Sequence, residues 1–270
     1  NIIAVTGTNG KSSIADFYYQ ILDLNKKKVA SIGTLGIKSK KFKKNLSNTT
    51  IDPIQLSIIL SNLKKQNINN VIMEASSHGL SQNRLDGLSF NTGIFTNLSQ
   101  DHMDYHKNMK DYLKAKTYLF EQLIKKNGNI ITDEKISEYK QIKKIASNKN
   151  LNLFSLLDKK NNFQFLSHQF ENEAQLLKIK YNNSIHNIKL NLIGKVQLKN
   201  ILMAIIAAIK SDISIKDILK VIPRIKSVDG RFEKIGKIKN NSKIILDYAH
   251  TPDALKTCLK NLKEQFPGHK

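Results

Sequence analysis

The chain has 270 residues, enough for a full hydrophobic core and for more than one domain. Its single cysteine, Cys258, excludes a disulfide framework and suits a reducing compartment, so we expect a cytoplasmic protein. We find no apolar segment long enough to cross a bilayer and no signal peptide, so a membrane partner is not expected.

The net charge of +22 comes almost entirely from lysine. A basic patch is typical of nucleic-acid binding, but these lysines are spread over many polar segments and no nucleic-acid-binding module is recognisable. We therefore predict no nucleic-acid partner. Arginine occurs only as Arg84, Arg224 and Arg231. In so lysine-rich a chain, an arginine indicates a need for its planar, bidentate fork.

Apolar periodicity predicts alternating strands and helices in the first half of the chain. "IIAVT" predicts a buried strand, "TGTNG" a tight turn, and residues 12–24 a helix. The strand "KVASIGTLGI" follows, with "KSKKFKKN" as an exposed hairpin arm, and then a helix from Pro53 to Lys65. The segments "NVIMEAS" and "NTGIFTNL" predict two more strands, "MKDYLKAKTYLFEQLIKK" predicts a helix, and "GNIITDE" predicts a further strand. This pattern predicts an α/β fold, with a mainly parallel sheet of the P-loop type and helices on both faces.

The pattern changes from about residue 151 to residue 192, where short alternating segments predict a small antiparallel subsheet. Two helices follow, in "GKVQLKNILMAIIAAIKS" and "SIKDILKVI". The segment "IPRIKSVDGRFEKIG" indicates a domain junction, and "KIILDYAHTPDALKTCLKNL" predicts a strand, a loop and a helix. We therefore divide the chain into a central domain, residues 1–228, and the start of a second, incomplete Rossmann-like α/β domain, residues 229–270.

The stretch "GTNGKSS" has the composition of a phosphate-binding loop. Glycines let backbone N–H groups approach phosphate oxygens, and the helix N-terminus adds partial positive charge. Lys11 can reach the outer phosphates and Ser12 can ligate Mg²⁺. Val5 occupies the position of the usual first glycine, and Gly7 serves instead. A glycine-rich surface turn is the alternative, but the position between a strand and a helix favours a nucleotide site.

Polar segments after predicted strands are the other candidates, because ligands of parallel sheets collect beyond the carboxyl ends of the strands. Glu74 ends one such strand, where the Mg²⁺ of a nucleotide would need a hard oxygen ligand. Ser76, Ser77 and His78 follow at once. A serine beside a histidine suggests a hydrolase, but no G-x-S-x-G elbow surrounds it, so we disfavour that function.

The segment "DHMDYH" places Asp101, His102, Asp104 and His106 within six residues. This density suits metal binding by imidazole and carboxylate groups. Zinc is the first candidate, but there is no H-E-x-x-H motif and no cysteine partner. We therefore favour the contribution of one histidine to a Mg²⁺ or Mn²⁺ site.

Several segments together resemble a known family. "VTGTNGKSS", "NTTID", "MEASSHGL", "TNLSQDHMDYH", "KAKTYLF", "GRFE" and "DYAHTPDAL" occur in the order and spacing of the Mur ligases, over nearly the whole chain. The chain looks most like the MurE type, which adds the third peptide residue in peptidoglycan synthesis. Two alternatives stay open: another amide ligase of the same fold, of the folylpolyglutamate or cyanophycin type, and a truncated nucleotide-binding module without activity.

The resemblance implies an ATP-dependent ligase that forms a carbon–nitrogen bond. In this family a carboxylate of UDP-N-acetylmuramoyl-L-alanyl-D-glutamate is phosphorylated, and the amine of meso-diaminopimelate or L-lysine attacks the acyl phosphate. The partners would be that nucleotide-linked dipeptide and the amino acid, and we expect a monomer. The N-terminal domain and most of the C-terminal domain of the family have no counterpart here, so we predict that this chain binds ATP but ligates little or nothing.

The resemblance also assigns roles to residues around the phosphates. Ser12 and Glu74 would hold a first Mg²⁺. A second would be held by His102 and by Lys116 after carbamylation by CO₂, which turns a cation into an anionic oxygen ligand. Without the family, Lys116 would be one more solvent lysine in a lysine-rich helix. The phosphate loop would comprise Gly7, Thr8, Asn9, Gly10, Lys11 and Ser12.

The remaining assignments concern the nucleotide and the acceptor. Arg231 would approach the γ-phosphate from the domain junction, and Asn200 would be close to the adenine. Asp247 would hold the ribose hydroxyls and His250 would be near the nucleotide. The expected direct participants in catalysis are Lys11, Glu74, His102, Lys116 and Arg231. The acceptor peptide and its sugar nucleotide would contact Thr49, Thr50, Ser76, Gln82 and Arg84.

The chain departs from the family pattern at two places. Ile51 stands where the family usually has a proline after the paired threonines. Val196 and Gln197 stand where it usually has "FN", so the amide at position 197 is one methylene further out. The resemblance therefore assigns no adenine contact to Gln197, whereas the phosphate and metal residues are unaffected.

Overall fold

One large sheet forms the centre of the protein, in a computed structural model that describes residues 1–157, 162–171, 173–238 and 242–268. Its strands are β1 (Ile2–Thr6), β2 (Val29–Gly33), β3 (Gly36–Ser39), β4 (Lys43–Lys44), β5 (Asn70–Glu74), β6 (Phe90–Phe95), β7 (Ile124–Thr132) and β8 (Asn152–Ser155). They lie in the order β4-β3-β2-β5-β1-β6-β7-β8. In this order, the neighbouring strands β2, β5, β1, β6, β7 and β8 pair in parallel. Strands β3 and β4 extend the edge next to β2 and pair antiparallel. The predicted mainly parallel sheet is confirmed.

Helices cover both faces of this sheet. They are α1 (Lys11–Leu24), α2 (Pro53–Lys65), α3 (Ser77–Ser81), α4 (Met109–Tyr118), α5 (Tyr139–Asn148), α6 (Lys195–Ile209) and α7 (Ile215–Val221). Side chains alternate along β1, so Ile3 and Val5 join a core with α1, α6 and α7, while Ala4 joins a second core with α2 and α5. Among the described residues, no helix has the length and apolar character to span a bilayer.

The predicted antiparallel subsheet is also present. It consists of β9 (Phe163–Glu171), β10 (Ala174–Tyr181) and β11 (Ser184–Leu190), with β10 in the centre. The subsheet was expected to begin at about residue 151, but it begins later, at β9. The strand β8 belongs to the large sheet, where it pairs in parallel with β7. Residues 158–161 and 172 of that region lie outside the described residues.

Two predicted elements have different bounds. The segment "KVASIGTLGI" was expected to form a single strand, but it forms the β2–β3 hairpin. The chain reverses at Gly36, which adopts a φ of +83° and lies so close to the Lys44 carbonyl that a Cβ there would clash. The helix expected through residue 126 ends earlier. After α4 comes a π-helical turn (Leu119–Leu123), and β7 begins at Ile124. Phe120 of this turn packs on Gly93 of β6, where a Cβ would lie 2.7 Å from the Phe120 ring.

The second part of the chain contains β12 (Glu233–Lys237), β13 (Lys243–Leu246) and α8 (Pro252–Gln265). The strand, loop and helix expected there are present, but β12 was not predicted; it pairs antiparallel with β13. Helix α8 packs on the N-terminus of α6, whose N-cap Gly194 has no capping side chain. Gln265 accepts a hydrogen bond from Gly194 N at 2.7 Å and Asn261 accepts one from Val196 N at 3.2 Å. The boundary between residues 228 and 229 stays a prediction.

Candidate active site

The carboxyl ends of β1, β5 and β6 open into one pocket of about 470 Å³, which the second part of the chain closes from the opposite side. Most of the predicted site residues line it. They are Thr8, Asn9, Gly10, Lys11, Ser12, Thr49, Glu74, Ser76, His102, Asn200, Arg231, Asp247 and His250. The predicted residues that do not line it are Gly7, Thr50, Gln82, Arg84 and Lys116.

The phosphate loop connects β1 to α1. Gly7 and Gly10 have φ values of +134° and +91°, which a non-glycine residue rarely adopts. The Lys11 ammonium folds back over the loop and donates to the carbonyls of Gly7 at 3.0 Å and Thr8 at 2.7 Å. Burial lowers the pKa of Lys11, while Glu74 and Asp101 act in the opposite direction. The loop therefore combines a half-buried lysine with the N–H groups at the start of α1, which in any helix lack intrahelical partners.

We expect Gly10→Ala to lower the free energy of unfolding by about 1–3 kcal/mol and to weaken ATP binding. A Cβ at Gly10 would lie 2.7 Å from the Asn200 side-chain oxygen, in addition to the strain of the positive φ. Gly87→Ala is the matched control, because Gly87 has a φ of +83° and, its two chain neighbours apart, no described residue has an atom within 4 Å of its Cβ position. Urea unfolding and calorimetric ATP titration of both variants check this. Equal effects of the two substitutions on ATP affinity would contradict it.

Glu74 presents a buried carboxylate at the end of β5 and is 3% exposed. Thr34 orients it: the Thr34 backbone N–H donates to Oε1 at 2.9 Å and the Thr34 hydroxyl to Oε2 at 3.1 Å. The Thr34 hydroxyl also lies 3.0 Å from that of Thr49. Gly33 is required here, because a Cβ would lie 2.2 Å from Glu74 Oε1. Sequence reasoning missed Thr34, although it directly follows the strand β2.

His102 lies on the pocket wall in a left-handed conformation, with a φ of +55°. The backbone N–H of His102 donates to one Asp101 carboxylate oxygen at 2.9 Å, and the other Asp101 oxygen lies 3.6 Å from His102 Nε2. The ring of His78 meets His102 edge-on, with 4.8 Å between the ring centroids, and stacks on Tyr105 at 4.0 Å. Burial lowers the pKa of both imidazoles, which favours the neutral form, the form in which His102 is able to bind a metal.

The disfavoured hydrolase arrangement is not formed. Ser77 is 1% exposed, and within the described part of the chain its hydroxyl makes no hydrogen bond. His78 instead contributes to the histidine and tyrosine cluster around His102. The serine and the histidine therefore do not form a nucleophile and a base.

Lys116 is not a solvent lysine. It is 1% exposed, and its Nζ donates to the Gly7 carbonyl at 2.8 Å, the same oxygen that accepts from Lys11. The amine also lies 4.2 Å from the centre of the Tyr112 ring. Burial, followed by the charge of Lys11, lowers the pKa of Lys116 well below its usual value. A buried amine with a low pKa is the neutral form that reacts with CO₂, so this lysine fits the proposed carbamate.

The described residues contain no group of three His, Cys, Asp or Glu side chains that could hold a metal by itself. Ser12 and Glu74 supply two oxygen donors to the pocket, and His102 supplies a neutral imidazole. The two oxygen donors fit Mg²⁺, which normally completes its coordination with phosphate oxygens and water. The imidazole is a borderline donor and would be an additional ligand.

Three of the predicted acceptor contacts, Thr50, Gln82 and Arg84, do not line the pocket. The Thr50 hydroxyl donates to the Glu74 carbonyl at 3.0 Å and accepts from Ser76 N at 2.9 Å. Arg84 donates to the Thr50 carbonyl at 2.6 Å and lines a separate hollow beside α2. Gln82 donates to the Tyr105 hydroxyl at 3.1 Å. In this structure Thr50 and Arg84 therefore shape the wall, whereas Thr49 and Ser76 face the pocket.

The second part of the chain contributes an ordered loop to the pocket. Both Asp247 oxygens accept backbone N–H groups at 2.9 Å, from Phe232 and Ala249. The Arg231 guanidinium lies 4.4 Å from the centre of the Tyr248 ring. Sequence reasoning missed Tyr248, which stands beside the predicted Asp247, and the signal available was its position in the "DYAH" segment.

Comparison with known families identifies this architecture. The family model described as "Mur ligase middle domain" matches residues 5–208. The chain belongs to the Mur ligase family. The predicted family resemblance is thereby confirmed. A second family model, "Mur ligase, glutamate ligase domain", matches residues 230–270.

Individual Mur ligases are similar over nearly the whole chain. A UDP-N-acetylmuramoyl-L-alanyl-D-glutamate–2,6-diaminopimelate ligase of Rickettsia montanensis is 37% identical over 268 residues, which cover 97% of this chain and 55% of the relative. A solved structure of a ligase of the same name has a TM-score of 0.84 and 28% identity, over 99% of this chain and 54% of that one. MurF from Thermotoga maritima in complex with ADP shares the fold, with a TM-score of 0.73 and 17% identity over 99% of this chain and 58% of that one. The chain thus spans about half the length of the curated relatives it matches.

Proposed function

We propose that this chain is the catalytic centre of an ATP-dependent amide ligase of peptidoglycan precursor synthesis. It would add 2,6-diaminopimelate to UDP-N-acetylmuramoyl-L-alanyl-D-glutamate. One observation carries the proposal: the phosphate loop, Glu74 and His102 meet Arg231 and Asp247 in a single pocket. The relatives' names favour diaminopimelate over L-lysine and over the folylpolyglutamate and cyanophycin alternatives. A cytoplasmic monomer, with neither nucleic acid nor a membrane as partner, is part of the proposal.

The physical problem of this reaction is the approach of two anions, a polyphosphate and the substrate carboxylate. The carboxylate oxygen would bond to the γ-phosphorus as ADP leaves, and the amino acid's amine would then displace phosphate from the acyl phosphate, with loss of a proton. Lys11 and the loop N–H groups neutralise charge from one side, and Arg231 does so from the other. These groups are fixed before the substrate arrives, which lowers the cost of reorganisation in the transition state.

Magnesium, when bound, would neutralise phosphate charge and orient the transferring group. Ser12 and Glu74 would hold one ion. His102 and carbamylated Lys116 would hold the other. Thr34 keeps the Glu74 carboxylate in place through two hydrogen bonds, and the edge-on contact with His78 restricts the His102 ring.

A chimera tests the proposal directly, because the chain spans only about half of its relatives. Residues 1–270 would replace the corresponding segment of the Rickettsia montanensis relative. We expect the chimera to release phosphate and form the tripeptide product only with ATP, the muramoyl dipeptide and diaminopimelate. The 270-residue chain alone should bind ATP without forming product. ATP binding with an inactive but folded chimera would favour the nucleotide-binding module instead.

A further inference from the structure

Gln197 connects the second part of the chain to the nucleotide pocket. Its side chain is 2% exposed and both ends of its amide are used. Nε2 donates to the Arg231 carbonyl at 2.9 Å, and Oε1 accepts from Asn200 Nδ2 at 2.9 Å. The two bonds fix the orientation of the amide, because one end can only donate and the other can only accept.

Asn200 extends this connection to the phosphate loop. Its side-chain oxygen lies against Gly10, 2.7 Å from the position that a Cβ would occupy there. Contacts therefore run without a gap from Gly10 through Asn200 and Gln197 to the backbone of Arg231.

The other bonds of Arg231 stay within the second part of the chain or its junction. Its backbone N–H donates to the Val228 carbonyl at 2.9 Å, and its Nη1 donates to the Gly230 carbonyl at 3.0 Å. The guanidinium rests on Tyr248. In the described part of the chain, the bond from Gln197 is thus the one hydrogen bond that joins Arg231 to α6.

Helix α8 reinforces this connection from the same side. Gln265 and Asn261 accept hydrogen bonds from the backbone N–H groups of the N-cap residue Gly194 and of Val196, within one turn of Gln197. Both side chains are buried, at 3% and 6% exposure. The first turn of α6 and the second part of the chain therefore form a continuous hydrogen-bonded unit, and within it Gln197 faces the pocket.

We propose that Gln197 is a positioning residue, which sets the place of Arg231 at the phosphate end of the nucleotide by holding the Arg231 carbonyl. This inference rests on the proposed function, in which Arg231 approaches the γ-phosphate. ADP lacks that phosphate. Loss of the connection should therefore weaken ATP binding more than ADP binding, whereas a merely structural amide would affect both nucleotides equally.

The test compares the ratio of the ADP and ATP dissociation constants in Gln197→Met, measured by calorimetry in the presence of Mg²⁺. Methionine has a similar length but neither donates to the Arg231 carbonyl nor replaces the amide acceptor. We expect the preference for ATP over ADP to fall about threefold to tenfold, the range that one hydrogen bond carries. Gln197→Asn is the second variant, since its shorter amide cannot span both partners, and it should show the same loss.

Gln20→Met is the matched control. Gln20 is also a two-ended amide, which donates to the Lys226 carbonyl at 3.1 Å and accepts from the Lys226 N–H at 2.9 Å, away from the pocket. It should lower thermal stability without changing the nucleotide preference. Arg231→Ala should reduce the preference, and adding Gln197→Met to it should change nothing further.

The outcomes distinguish the positioning role of Gln197 from the role of Arg231 at the γ-phosphate. If Arg231→Ala reduces the ATP preference and folded Gln197→Met does not, the positioning role is wrong and the role of Arg231 stands. An unchanged preference in Arg231→Ala would overturn both. A Gln197→Met effect that is fully additive with Arg231→Ala would also overturn the positioning role.

Discussion

Replacing Lys116 with methionine should reduce ligation by the chimera at least about 100-fold while leaving the protein folded. The substitution removes the amine that would carry the carbamate, and with it one ligand of the second Mg²⁺. In buffer free of CO₂, where Lys116 is a free amine, the free energy of unfolding at pH 7 should rise by about 1–3 kcal/mol. The reason is that a buried amine, which has no carboxylate partner among the described residues, is replaced by an apolar side chain of similar length. Phosphate-release assays and urea unfolding measure the two effects.

The shifted pKa of Lys116 also predicts how the free energy of unfolding depends on pH. Burial places the folded-state pKa of Lys116 well below the usual value of 10.5, so between the two values the unfolded chain binds the additional proton. The contribution of Lys116 to stability therefore rises with pH across that interval. The difference in stability between Lys116→Met and the original protein should accordingly shrink as the pH rises.

The carbamate itself can be observed. With ¹³C-labelled bicarbonate, the original protein should show one carbamate carbon signal by NMR, and Lys116→Met should lack it. Lys199→Met is the control, because Lys199 pairs with Asp133 at 2.6 Å and its side chain is half exposed. A signal that persists in Lys116→Met, together with undiminished ligation, would refute the role of Lys116.

Replacing Lys11 with alanine should weaken ATP binding about 10- to 100-fold, the range of one or two charge-assisted hydrogen bonds. The Lys11 ammonium already lies over the loop, 2.7 Å from the Thr8 carbonyl, so little reorganisation is needed to reach a phosphate. ADP binding should fall as well, because the β-phosphate is also within the reach of the loop. Calorimetric titration with both nucleotides measures these losses.

Lys199→Ala provides the comparison for Lys11→Ala. It removes a lysine of the central domain that does not line the pocket, so ATP affinity should stay the same. If both variants lost affinity equally, the effect would come from net charge and the phosphate-loop role of Lys11 would be wrong.

Local signals explain which elements were predictable from the sequence. Helix α2 has the predicted bounds because Pro53 starts it and Asp52 caps it, accepting from Gln55 N at 3.0 Å. Strand β12 was missed because it lies in an exposed two-stranded sheet with few buried side chains. The turn within the β2–β3 hairpin depends on a contact between Gly36 and Lys44, which no local pattern reveals.

Some residues of the candidate site also have a local sequence signal, whereas others have none. Glycines, Lys11 and Ser12 form a contiguous motif, and Glu74 is marked by its place at the end of a strand. Lys116 has no local signal, because its burial depends on the Gly7 carbonyl, 109 residues away along the chain. Only the family resemblance indicated it. The bridging position of Gln197 could not be predicted, since its partner Arg231 belongs to another part of the fold.

The π-helical turn after α4 has a consequence for insertions and deletions. Such a turn contains one residue more than a regular helical turn, so we expect the deletion of one residue within 119–123 to restore an ordinary helix and leave β7 paired. The deletion would nevertheless rotate α4 by about 100° relative to that strand and carry Lys116 away from the Gly7 carbonyl. Homologues that shorten this turn should therefore have lost the buried amine even where the lysine is still encoded.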